Sequence, residues 1–112
     1  MIEVFVGSGL GGVLRYLLGI LSQKLFSQSW PATLMVNVLG SVLMVYLIHR
    51  FGLNNQKVSN FVVVGFLGGF TTFSTFSNEV FQTINDGNYS FAALIFISNI
   101  LLGIIMGILV FR

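Results

Sequence analysis

The residues best suited to chemistry in this chain lie in one run, Gly65-Phe66-Leu67-Gly68-Gly69-Phe70-Thr71-Thr72-Phe73-Ser74-Thr75-Phe76-Ser77. Glycines at 65, 68 and 69 are followed by hydroxyls interleaved with phenylalanines. Gly-Gly beside β-branched Thr-Thr is poor helix material. The run predicts a helix in two halves, one from about Val58 and one from about Phe73, with a break near Gly68 to Thr71. Carbonyls freed at a break of this kind coordinate cations in membrane proteins. The phenylalanines at 66, 70, 73 and 76 fall on one face of a helix. Such a stripe serves packing or, because ring edges are positive, offers an anion a contact without the full charge that would hold it too tightly to release. The plain alternative is one continuous helix, with glycines for packing and hydroxyls bonded back to the preceding turn.

A second polar set is Asn37, Gly40, Ser41 and Met44, at i, i+3, i+4 and i+7 on one helix face. Its amide serves either as interhelical glue or as an N–H donor to a passing ion. Ser98 and Asn99 permit the same two readings. Arg15 attracts anions at long range if it stands near a vestibule; otherwise it snorkels or caps carbonyls. The chain has no cysteine, one histidine and three acids, which excludes thiolate chemistry and most metal sites. His49 sits beside Arg50 with no nucleophile or metal partner nearby in sequence, so no enzyme is expected.

These residues have to be positioned by apolar elements. Of the 112 residues, 55% are hydrophobic and only 7% charged, where a soluble domain carries roughly 25% charged residues. Composition therefore excludes a soluble globular domain and a disordered tail, and it predicts an all-α membrane protein in the cell membrane. Five Lys and Arg against three Asp and Glu are too few for a nucleic-acid surface. A bilayer core takes about 20 apolar residues of helix. Four spans are expected in a single domain over 1–112, at about 4–21, 32–48, 58–84 and 91–111. The first is expected to be retained, because Glu3 stands where a signal peptide would be basic. Asn54-Asn55 and Asp86-Gly87-Asn88 are turn chemistry.

Four spans place both termini on one side. Arg50, Lys57 and Arg112 fall on that side, Lys24 on the other, and Arg15 lies within a span. So weak a bias is compatible with insertion in both orientations and with antiparallel dimers, or with a modest N-in preference. Gly7-x-x-x-Gly11, Ser8-x-x-x-Gly12 and Gly103-x-x-x-Gly107 let helices approach closely, within one chain or between two. Four helices leave little interior for a solute path, which makes an oligomer the expectation.

The sequence resembles the fluoride channels of the Fluc/CrcB family over essentially its whole length. The resemblance is carried by Gly11-Gly12-Val13-Leu14-Arg15-Tyr16, by Thr33-Leu34-Met35-Val36-Asn37-Val38-Leu39-Gly40-Ser41, and most specifically by Gly65 to Phe76. It departs at Val13-Leu14, where many members read Gly-Ala. The resemblance implies an antiparallel, dual-topology homodimer with two pores and a passive export of cytoplasmic fluoride that protects the cell. It implies a structural sodium ion on the dimer axis, held by the backbone carbonyls of Gly68 and Thr71. It also implies that Phe73 and Phe76 line the ion path with Asn37, that Ser74, Thr75 and Ser98 form a polar track, and that Arg15 stands at a vestibule. Fluoride is small and strongly hydrated, so its water shell has to be replaced by several moderate donors in sequence.

The main rival is a small multidrug exporter, also a short four-helix antiparallel dimer. Proton-coupled export needs a membrane-buried carboxylate. Glu79 is the one candidate, and it is expected instead to bond a neighbouring hydroxyl or to sit near the interface. On the exporter reading Glu79→Gln abolishes drug resistance. A third reading, a non-transporting subunit, predicts no flux at all.

Overall fold

The computed structural model describes residues 1–111. Arg112, counted above on the side of the termini, lies outside the described residues. The chain is all-helical. Helix α1 spans Ile2–Phe26 and α2 spans Trp30–Phe51. A third helical segment follows in pieces: α3 (Gln56–Ser59), a π-helical stretch (Asn60–Leu67), α4 (Gly68–Phe70) and α5 (Phe73–Asn85). Helix α6 spans Tyr89–Phe111. All four segments are long and apolar enough to cross a bilayer.

The ends follow from local chemistry. Helix α1 stops where Ser27 turns left-handed (φ 58) and returns its N–H to the Gln23 carbonyl. Ser22 Oγ then donates to the Gln28 carbonyl at 2.8 Å, which shortens the first connection to three residues before α2. Pro31 sits in the first turn of α2, where its missing N–H costs nothing. Gly52 at φ 69 ends that helix by donating to Ile48, a conformation that suits glycine. Asn55 Oδ1 caps α3 on the N–H groups of Lys57 and Val58. Gly87 (φ 82) and Asn88, whose Oδ1 accepts from Phe91 N, make the turn into α6.

The third segment departs from expectation in two ways. The interruption falls at Thr71 and Thr72, whose backbones are extended (φ −85, ψ 158 and φ −148, ψ 124). Gly68 lies in helical conformation and opens α4. The glycines are used for contact instead: α1 and the third segment pack backbone against backbone. A Cβ on Gly69 would stand 2.5 Å from the Ser8 carbonyl oxygen, and one on Gly11 or Gly7 would overlap the Phe66 or Phe61 carbonyl. The small-residue spacing of the first span therefore serves packing within the chain, as does that of α6, where Gly103 and Gly107 meet Ser41 and Val45 of α2. The second departure is the π-helix, with its wider turns, over Asn60–Leu67.

This contact yields a sharp expectation. Gly11→Val drives two methyls into the backbone of Phe66 and should cost about 3 kcal/mol or more. Gly9→Val on the same helix, with nothing within 4 Å of its added Cβ, should be nearly neutral. Thermal unfolding of the two variants in detergent checks the pair.

Candidate functional site

The site is built around the two extended residues Thr71 and Thr72. An interruption leaves backbone groups without helical partners, and buried orphans are costly. Asn37, 35 residues earlier on α2, resolves much of this. Its Oδ1 accepts from Thr72 N at 2.8 Å, and its Nδ2 donates to the Thr72 carbonyl at 2.9 Å. The carboxamide thus pairs with Thr72 as a neighbouring strand would. Its second N–H goes to Asn99 Oδ1 on α6 at 2.8 Å. Both amide hydrogens of Asn37 are therefore committed, so in this conformation Asn37 acts as glue between α2, the break and α6. Asn99 donates one N–H to the Ile95 carbonyl and, having two, keeps one over.

Arg15 takes a second freed group. Its Nε donates to the Gly69 carbonyl at 3.0 Å from α1, which is the carbonyl-capping role weighed above. Thr72 Oγ1 caps α5 by accepting from Thr75 N, and it also contacts the Thr75 and Ser74 hydroxyls at 3.2 and 3.5 Å. Among the described residues, no hydrogen bond reaches the carbonyls of Gly68 or Thr71.

Two grooves flank the break and share Thr72. The first, about 250 Å³, is lined by Asn37, Gly40, Ser41, Met44, Thr71, Phe73, Phe76, Asn99 and Ile100 as well as Thr72. The second, about 310 Å³, is lined mainly by Arg15, Tyr16, Gln23, Ser29, Thr33 and Thr75. Asn37, Thr71, Phe73 and Phe76 thus come together in one groove, and Arg15 and Thr75 in the other. Ser74, Ser98 and Gly68 line neither; of the neighbours Ser98 and Asn99, it is Asn99 that faces the first groove. The expected single stripe of phenylalanines is divided by the break into two pairs. Phe66 stacks on Phe70 (5.8 Å between centroids, 12°), and Phe73 meets Phe76 edge to face (5.6 Å, 66°). Phe76 is buried at 4% exposure against Phe96, whereas Phe73 is 76% exposed.

Comparison with known proteins places this geometry. The family model described as CrcB-like protein, Camphor Resistance (CrcB), matches residues 2–111. The chain belongs to the CrcB family. The CrcB chain is 42% identical over 106 residues to a protein of Coxiella burnetii (strain CbuK_Q154) named fluoride-specific ion channel FluC, covering 90% of this chain and 82% of that one. It is 46% identical to the FluC of Elusimicrobium minutum (strain Pei191), over 87% of this chain and 80% of that one. With FluC of Shewanella sp. (strain ANA-3) the identity is 38% over 95% and 88%. With its four apolar spans, the CrcB chain is a multi-pass membrane protein, in a bacterium one of the plasma membrane.

Glu79 is the feature of this CrcB chain whose geometry sequence reasoning only outlined. Its Oε2 accepts from Ser29 Oγ at 2.7 Å and from Thr33 Oγ1 at 2.8 Å, tying α5 to the start of α2. Its Oε1 is buried with no partner. The carboxylate is thus bonded to hydroxyls, as expected, and to two of them. The spacing Ser29-x-x-x-Thr33, one helical turn, was the signal available for this pairing.

Proposed function

We propose that this chain forms a passive, fluoride-selective channel by which fluoride leaves the cytoplasm. The curated relatives named fluoride-specific ion channels match it over most of its length. The observation that carries the reading in the structure is the first groove. It brings hydroxyls, amide groups and the rings of Phe73 and Phe76 together without any fixed charge among its lining residues. A strongly hydrated anion needs its water replaced by several donors, none so strong that the ion stays. Asn99, with an N–H to spare, supplies such a donor here beside the ring pair, while the Ser41 hydroxyl donates to the Asn37 carbonyl at 2.7 Å and offers its lone pairs. Arg15 in the adjoining groove raises the local anion concentration from a distance. No carboxylate relay or nucleotide site is needed for flow down a gradient.

The working form in this reading is an antiparallel homodimer with two pores, the break lying at mid-membrane depth. In this reading a second chain closes over Phe73, which stands 76% exposed beside a polar groove. A structural sodium ion fits the free carbonyls of Gly68 and Thr71: sodium takes uncharged oxygens at unwound helix segments, and Gly68 is exposed, within reach of a second copy. Among the described residues there is no cluster of three His, Cys, Asp or Glu, so a cation at the break would be held by backbone and hydroxyl oxygens.

The test is ion efflux from liposomes carrying this chain alone, read with fluoride and chloride electrodes. Rapid fluoride loss with chloride retained is expected. No fluoride loss, alone and after co-expression with a related second chain, would overturn the reading, as would equal loss of both ions.

A further inference from the structure

The geometry points to a binding site for the headgroup of an anionic phospholipid at the end of the bundle where α2 and α6 finish. A groove of about 190 Å³ there is lined by Tyr46, His49, Arg50, Val110 and Phe111. Its polar members are all hydrogen-bond donors: a guanidinium fork, an imidazole N–H and a phenol. His49 and Arg50 are exposed, and the His49 ring lies 4.0 Å from the Phe111 ring, which fixes one wall.

Among the described residues, no protein anion answers these donors. The chain has three acids. Glu3 is occupied by the Met1 amine at 3.3 Å, the one ion pair among the described residues. Glu79 is held by Ser29 and Thr33 at the start of α2, the opposite end of that helix, and Asp86 lies in the turn before α6, also opposite. Among the described residues Arg50 is therefore a guanidinium with no carboxylate to pair with, standing where two membrane-spanning helices end, at headgroup depth. A phosphodiester matches its fork bidentately. Tyr46 belongs to the amphipathic aromatic class that settles at this level of a bilayer, and Val110 leads from the groove onto the apolar flank of α6, where an acyl chain would run. A headgroup without its own amine leaves net negative charge for Arg50, so phosphatidylglycerol fits better than phosphatidylcholine. The inference rests on the membrane-spanning helices and is independent of which ion the protein carries.

Native mass spectrometry of the full chain, released from micelles doped with equal phosphatidylglycerol and phosphatidylcholine, tests it. The unmutated chain should retain at least fivefold more phosphatidylglycerol, and 10 mM inorganic phosphate should not displace it. The double variant His49→Gln, Arg50→Gln should lose that excess, while Lys24→Gln, a charge removed at the opposite end, should keep it. Equal retention of the two lipids by the unmutated chain overturns the proposal whether or not the double variant folds. So does displacement by free phosphate, which would mark a site for small anions, or an equal loss in Lys24→Gln, which would mark charge attraction without a site.

Discussion

Asn37→Ala should unfold the centre of this protein and abolish flux together. The substitution removes the acceptor for Thr72 N, the donor to the Thr72 carbonyl and the donor to Asn99 Oδ1 in one step. A buried polar group left without its partner costs roughly 1–3 kcal/mol. All three groups border a groove that admits some water, so the total is about 2–5 kcal/mol. The outcome separates the two roles that Asn37 had from its sequence position alone. If the amide were chiefly an ion donor, flux would fall while the thermal midpoint in detergent stayed where it was. With both of its hydrogens committed, the midpoint should fall by several degrees as flux disappears. Asn99→Ala is the companion measurement: it spares the Asn37 clamp on Thr72, so it should lower flux with a much smaller loss of stability.

The same residue shows where reading a sequence stops. Four spans were legible because a bilayer demands about 20 apolar residues per crossing, and the interruptions by turn residues left few other ways to divide the chain. A break in the third segment was legible from its composition, yet it falls at Thr71 and Thr72, with Gly68 opening the helix before it. Gly-Gly weakens a helix, but Gly69 is required where Ser8 of α1 approaches, and Thr72 can cap the helix that follows. What makes the break affordable is a partner 35 residues away, and no local pattern reports that pairing. The π-helix is hidden for a related reason. It differs from an α-helix by one residue in hydrogen-bond register, and the stretch that adopts it lies against α1, backbone to backbone. The site residues divide the same way: those on one element, such as Phe73 and Phe76, were found together, whereas the choice of Asn99 over Ser98 depends on the rotation of α6 against α2.

Alanine at Phe76 and at Phe73 should differ sharply in its cost to the fold, whereas isoleucine at either position should lower flux. Phe76 is buried between Phe73 and Phe96, and Phe76→Ala leaves a cavity where an aromatic ring stood, a loss of about 3–5 kcal/mol in well-packed cores. Phe73 is 76% exposed in the single chain, so Phe73→Ala should cost the monomer little. Isoleucine is the more informative replacement at both positions, because it keeps most of the apolar bulk and removes the positive ring edge. Phe76→Ile should hold the fold within about 1.5 kcal/mol of the parent. If ring edges face the ion, flux through either isoleucine variant should drop at least tenfold, with chloride still excluded. Fluoride efflux at the parental rate in Phe73→Ile and Phe76→Ile would instead mean that the rings only pack. An exposed ring that matters for flux and not for monomer stability is what a wall shared with a second chain requires. Phe73→Ala should therefore weaken dimerisation, measured by single-molecule photobleaching in liposomes at falling protein density, more than it weakens the fold.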